Sequence, residues 1–209
     1  MHTMGCSSGQ LRNALKTATR DDHERVDSIL LSWPLDDIDV YRQFLIAHAR
    51  VLLPCERWLS RNESSTLLPE WTQRDRTAAL LNDLHKLGCR PDIPSDMSFD
   101  NAEPVQIGMV YVLEGSRLGG FVLAKKLNKL RPDLPTSFLS YDADTDVWGR
   151  FVEWLNGKRL NTGELETSID TARFIFRLYE ESFSISVQII GKFCNGDGSE
   201  RERQPHLAC

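Results

Sequence analysis

His23 is the residue best placed by type and spacing to bind a metal. Asp27 follows it by four residues, one helical turn on, where a carboxylate can accept a hydrogen bond from the second ring nitrogen and fix the tautomer. On a helical wheel Lys16, Thr19, His23, Val26, Asp27 and Leu30 share a face, and Lys16 lies roughly 10 Å along the axis from His23. That face joins one imidazole, one ammonium and apolar residues. A histidine in such company is either a ligand or an ordinary core or solvated side chain, and the residues alone leave both open.

The second chemical signal is a set of missing side chains. The run Tyr111-Val112-Leu113-Glu114-Gly115-Ser116-Arg117-Leu118-Gly119-Gly120 lies inside an otherwise apolar helical segment. There each glycine costs roughly 0.5–1 kcal/mol relative to alanine. At about 100° per residue Gly108, Gly115 and Gly119 fall within roughly 40° of one another and make one flat stripe. Close helix–helix packing through small residues accounts for such a stripe, and so does a planar ligand lying on the backbone. Gly115-Ser116 is also a pair of the kind that lets a helix bend.

Other candidates read as structural. His48 and His85 lie among helical positions next to cationic residues, and His2 and His206 lie near the ends. Asp36-Asp37 and Glu180-Glu181 read as solvated charge pairs. There is no H-E-x-x-H or P-loop pattern. Five cysteines, Cys6, Cys55, Cys89, Cys194 and Cys209, are widely spaced with no C-x-x-C pair, which suits a reducing cytoplasm better than a disulfide framework. With 25 Lys+Arg against 30 Asp+Glu, a net charge of -5 and no long basic run, nucleic acid and anionic membrane are poor partners. No stretch of roughly 18 consecutive apolar residues marks a membrane span.

The elements that must position these residues are helices. With 209 residues the chain is long enough to bury a core without a metal or disulfide staple. Leu11, Leu15 and Ala18 begin one apolar stripe that runs on past His23, and Val40, Phe44, Ala47, Val51 and Leu52 begin a second, with Pro34 and Pro54 as punctuation. A third helix runs from Asp75 past Leu84 and stops at Gly88. The fourth spans about Ala102 to Leu130, capped by Asn101 and ended before Pro132. A fifth covers Trp148 to Leu155. The sixth starts at Glu164 or Ser168 and ends near Phe193, burying Ala172, Ile175, Phe176, Tyr179, Phe183 and Val187. The expected architecture is an all-α, single-domain bundle of six or more helices over residues 10–193, with flexible ends at 1–9 and 194–209.

The two signals together resemble the heme oxygenase family, in particular its bacterial, bacteriophytochrome-associated branch. Leu11-Arg12 through Leu15-Lys16-Thr17-Ala18-Thr19 to His23 is similar to the proximal helix, and Tyr111 to Gly120 to the glycine-rich distal helix. Tyr41 to Leu45 and Arg74 to Leu87 agree with weaker patterns. The resemblance implies heme, as both substrate and cofactor, held between the proximal (first) and distal (fourth) helices. His23 would ligate the iron, with Lys16 paired to a propionate and Asp27 orienting the ligand. Gly115, Gly119 and Gly120 would line the heme face, and Gly115, Ser116 and Gly119 the oxygen side.

It further implies attack by activated O2 on a meso carbon, giving biliverdin, carbon monoxide and ferrous iron. Electrons would come from an external donor such as reduced ferredoxin, and the bilin would supply a bacteriophytochrome. Ser116 stands where the animal enzymes carry an aspartate that organises water, so proton delivery falls to a water chain or another residue. A second propionate partner would come from Arg150, Arg173 or Arg177. A heme carrier or sensor on the same scaffold is the alternative.

Overall fold

The structure, a computed structural model, describes residues 10–62, 68, 74–141 and 147–195. Seven helices and no strand occur among them: α1 (Gln10–Ala18), α2 (Arg20–Leu31), α3 (Ile38–Arg61), α4 (Thr77–Lys86), α5 (Glu103–Leu130), α6 (Val147–Gly157) and α7 (Thr162–Asn195). The fold is all-α. The long helix α7 is the spine against which α2, α3 and α5 each pack, while α4 lies on α3 and α6 on α1 and α5. Leu15, Tyr41, Leu45, Leu52, Ile107, Met109, Phe151, Ile175 and Phe183 fill one continuous core. The expected flexible ends were 1–9 and 194–209: residues 194–195 belong instead to α7, and the rest lie outside the described residues.

Local chemistry sets the ends of several helices. Asp37 caps α3 by accepting from Asp39 N (2.8 Å) and Val40 N (3.2 Å). Past α4, Gly88 adopts φ +75°, donating to His85 O while Cys89 N donates to Leu84 O, the paired bonds of a left-handed helix stop that glycine enters without steric cost. Asn161 and Glu164 exchange side-chain bonds with each other's backbone N–H at 3.0 and 2.8 Å, so α7 begins a few residues before Glu164.

Four expectations need correction. The stripe from Leu11 to Leu30 is not one straight helix. It breaks at Thr19 (φ −106°, ψ 9°), although Thr19 N→Leu15 O and His23 N→Thr19 O, both 3.0 Å, still link the two parts. Pro54 does not punctuate anything but lies within α3, where burial of Leu52, Leu53, Cys55, Trp58 and Leu59 offsets the lost N–H bond. Asn101 does not cap α5: Ala102 holds that place, Pro104 follows, and the Asn101 side chain instead accepts from Gln106 Nε2 at 2.9 Å. Val187 is exposed rather than buried, because the core-facing stripe of α7 passes to Ser182, Phe183 and Ser186.

Helix α5 is long and apolar enough to cross a membrane by length and composition, and half of its most apolar window is buried within the protein. Its apolarity is that of a core helix.

Candidate functional site

The site is a cleft whose two walls share a floor. Helices α2 and α5 both pack along α7 and scarcely touch each other. The Tyr111 hydroxyl of α5 hydrogen-bonds Thr19 at the α1–α2 bend. Thr19 is itself buried and returns its hydroxyl to Leu15 O (2.8 Å), and Arg173 of α7 braces the same bend with two bonds to Ala18 O at 3.2 and 3.0 Å.

On the α2 wall, His23 Nδ1 lies 3.1 Å from Asp27 Oδ2, and the imidazole stands edge-on to Phe176 of α7 with ring centroids 5.8 Å apart. With Nδ1–H committed to Asp27, Nε2 is left as the free lone pair on a ring whose side chain is 59% exposed. Helix α2 has no buried residue at all. It is held by Arg25, which binds Glu180 at 3.1 Å and also Asp22, and by Arg173 at 3.8 Å from Asp22. Lys16 is exposed in the last turn of α1, just before the bend.

On the α5 wall the glycine stripe divides. A Cβ added at Gly108 would stand 2.3 Å from Ser168 O and 2.9 Å from Thr171 Cβ, so there the stripe closes on α7. A Cβ at Gly115 or Gly119 would meet nothing within 4 Å, so there the stripe is open. Gly120 turns away from that face and packs on Leu139, whose Cδ2 would be 3.3 Å from an added Cβ.

Behind the open stripe is a buried ionic network that sequence reasoning missed. Glu114 accepts from Arg74 Nη1 (3.0 Å) and Arg117 Nη2 (3.3 Å), all three side chains being buried. Arg76 donates through Nη2 to Leu113 O (3.0 Å) and Ser116 Oγ (2.9 Å), with its guanidinium over Phe138. Ser116 in turn donates to Leu113 O at 2.7 Å, so its hydroxyl proton is engaged on the backbone. Glu56 of α3 fixes the start of α4, accepting from Arg76 N at 3.0 and 3.1 Å and from Thr77 Oγ1 at 2.7 Å. Burial pushes the Glu56 carboxyl up to about 8, against the pull of Arg76.

The polar Glu56, Glu114 and Arg117 inside apolar helical runs were the available signal; Arg74 and Arg76 carried none. His48 is structural, as its surroundings in the sequence suggested. It is buried among Phe44, Phe138, Tyr179 and Phe183, bonds Phe44 O at 3.0 Å, and is lowered to about 4 by burial.

Residues 9–184 match the family model described as heme oxygenase. The chain belongs to the heme oxygenase family. A heme oxygenase of Xanthomonas campestris pv. campestris (strain 8004) is 34% identical over 145 residues, covering 67% of this chain and 86% of that protein. The fold matches the NO- and CO-bound heme oxygenase of Neisseria meningitidis with TM-score 0.73 and 24% identity, over 93% of this chain and 98% of that one. The heme oxygenase of Leptospira interrogans matches with TM-score 0.68 and 22% identity, over 84% and 98%. As a member of this family the chain is a heme-degrading oxidoreductase.

Proposed function

We propose that the chain cleaves heme to biliverdin, carbon monoxide and ferrous iron in the cleft between α2 and α5, using O2 and an external reductant such as ferredoxin in the cytoplasm, and that the bilin serves a bacteriophytochrome. The observation that carries this reading is His23 of α2, held through Nδ1 by Asp27 on a ring that is more than half exposed. The open space at Gly115 and Gly119 fits a flat macrocycle laid against backbone. Heme, when bound, supplies the oxygen activation and is itself the molecule cleaved.

The chain's own residues do the rest. Asp27 makes His23 a better donor by drawing on its second N–H and holds the ring in one orientation. Gly115 and Gly119 keep side chains out of the oxygen side, and Ser116 at their rim is the polar group there. Lys16, free in solvent near the narrow end of the cleft, pairs with a propionate, and the half-buried Tyr111 hydroxyl lies at the same end. Arg173 is engaged at Ala18 O and Asp22, which makes it a brace of the proximal bend rather than a propionate partner. Gly120 supports α5 from behind through Leu139.

One observation favours a heme carrier or sensor: the position between the distal glycines holds a serine whose proton already bonds Leu113 O. A single series separates the two. Hemin added to the purified protein should give a Soret band, and ascorbate or reduced ferredoxin under air with catalase present should replace it with a broad red biliverdin band. A Soret band that persists through reduction and re-oxidation makes the chain a carrier. His23→Ala should weaken hemin binding by more than about tenfold and change the ferric spectrum; an unchanged spectrum would remove His23 from the site.

A further inference from the structure

Arg76 is almost wholly buried, and a guanidinium is costly to bury, so a side chain that served only to tie α4 to α5 could as well be neutral. Both ends of it are fixed. Its backbone N donates to Glu56 of α3 at 3.0 and 3.1 Å, and its guanidinium lies over Phe138 with Cζ 5.1 Å from the ring centroid. From there Nη2 donates twice within one turn of α5, to Leu113 O at 3.0 Å and to Ser116 Oγ at 2.9 Å. That turn includes Gly115, where the glycine stripe is open.

These bonds leave one donor too many at Leu113. A carbonyl oxygen has two lone pairs. One belongs to the hydrogen-bond ladder of α5, which continues through this turn, and Arg76 fills the other. The Ser116 hydroxyl, at 2.7 Å, is the surplus donor on that oxygen. Arg76 also occupies a lone pair of Ser116 Oγ, which strengthens the hydroxyl as a donor. Leu113 and Arg76 are buried and Ser116 is half-buried, so of the three it is the one open to a ligand.

We infer that Arg76 is a positioning residue for the oxygen side of the cleft: by holding Leu113 O and Ser116 Oγ together, it releases the Ser116 proton to an acceptor bound over Gly115 and Gly119. Rotation about one bond carries that proton from Leu113 O to the acceptor, while both bonds of Arg76 stay in place. One hydrogen bond is exchanged for another, and no buried group loses its last partner. The pair thus provides a directed donor at a position that holds no carboxylate. This inference rests on the heme reading above, since it needs an acceptor bound over the open glycines.

The test uses the hemin-loaded protein and sodium fluoride, a small anion that only accepts hydrogen bonds. Arg76→Lys keeps the charge on a shorter side chain that ends short of Leu113 O and Ser116 Oγ. It should weaken fluoride binding to the ferric complex about tenfold and leave hemin affinity unchanged. Arg76→Met, which removes charge and donors together, should weaken fluoride at least as much. Ser116→Ala should weaken it to a similar degree, and adding Arg76→Lys to Ser116→Ala should do nothing more. If only one of the two Arg76 variants folds, the same cycle is read with that one. Parental fluoride affinity in the Arg76 variant, or an undiminished effect of it in the Ser116→Ala background, would overturn the inference. So would failure of both Arg76 variants to fold, which would make Arg76 a structural tie. Failure of the parent protein to form a Soret band would instead overturn the heme reading itself, and this inference with it.

Discussion

Gly108 and the pair Gly115 and Gly119 lie on one stripe of one helix, yet one end of the stripe is closed and the other open. The difference lies in the facing helix. Opposite Gly108, α7 presents Ser168 and Thr171, small enough for the two backbones to approach. One to three turns further on it presents Phe176, edge-on to His23 of α2, and Tyr179 and Phe183, which pack with His48 of α3. The same residue type on α5 therefore serves packing at one end and leaves an open face at the other.

The largest effect that sharpens this contrast is at the closed end. Gly108→Ala forces a Cβ into Ser168 O, a backbone atom of a long core helix that cannot yield cheaply. The expected loss is about 3 kcal/mol, at the upper range for overpacking, or about 9 °C in melting temperature for a chain of this length. Thermal unfolding of the heme-free protein reads it, and an unchanged melting point would mean that the two helices are not in contact there.

At the open end the sign reverses. Gly119→Ala and Gly115→Ala add a Cβ to empty space and remove a helix-interior glycine, so each should stabilise the heme-free protein by about 0.5–1 kcal/mol. On the proposed function the same methyl lies over the face that takes heme, so biliverdin formation should fall by more than about tenfold. A variant that is both more stable and fully active would break the distinction between the two ends. That trade of stability for an open face is the pattern expected where a sequence keeps a locally unfavourable residue for function.

This contrast also marks how far the sequence was legible. Period and punctuation were enough for the helices, and the stop at Gly88 was readable to the residue because only glycine enters that conformation cheaply. The bend at Thr19 was not, because it depends on Tyr111 and Arg173, residues far away in the chain. His23 with Asp27 was visible as a one-turn spacing, and the structure joins them. Which glycines stand open was not visible, since a helical wheel groups Gly108 with Gly115 and Gly119 and only the packing of the folded chain separates them. The network behind the stripe was least legible. It joins α3, α4 and α5 through Glu56, Arg76 and Ser116, and nothing in local spacing pairs residues 20 and 40 positions apart.

The last effect concerns that network, which braces the open end. In the folded protein Glu56 holds its proton up to about 8, against an ordinary value of 4.5, because burial penalises the carboxylate. Between those values the folded chain binds a proton that the unfolded chain releases. This contribution to stability is therefore complete below 4.5 and is lost as pH rises through 8. His48 runs the other way: lowered from 6.5 to about 4, it favours the folded state above 6.5 and loses that contribution as pH falls towards 4. The two slopes oppose each other below 6.5, and above it only the Glu56 slope remains. The parent protein should thus lose up to about 1.6 kcal/mol of stability between pH 6.5 and 8 that Glu56→Gln does not, since glutamine keeps an acceptor for Arg76 N and Thr77 but has no proton to release. Denaturant melts of both proteins at the two pH values measure the difference. Parallel losses would place the Glu56 carboxylate in its ionised form throughout, paired with Arg76 at 3.9 Å as a plain buried ion pair.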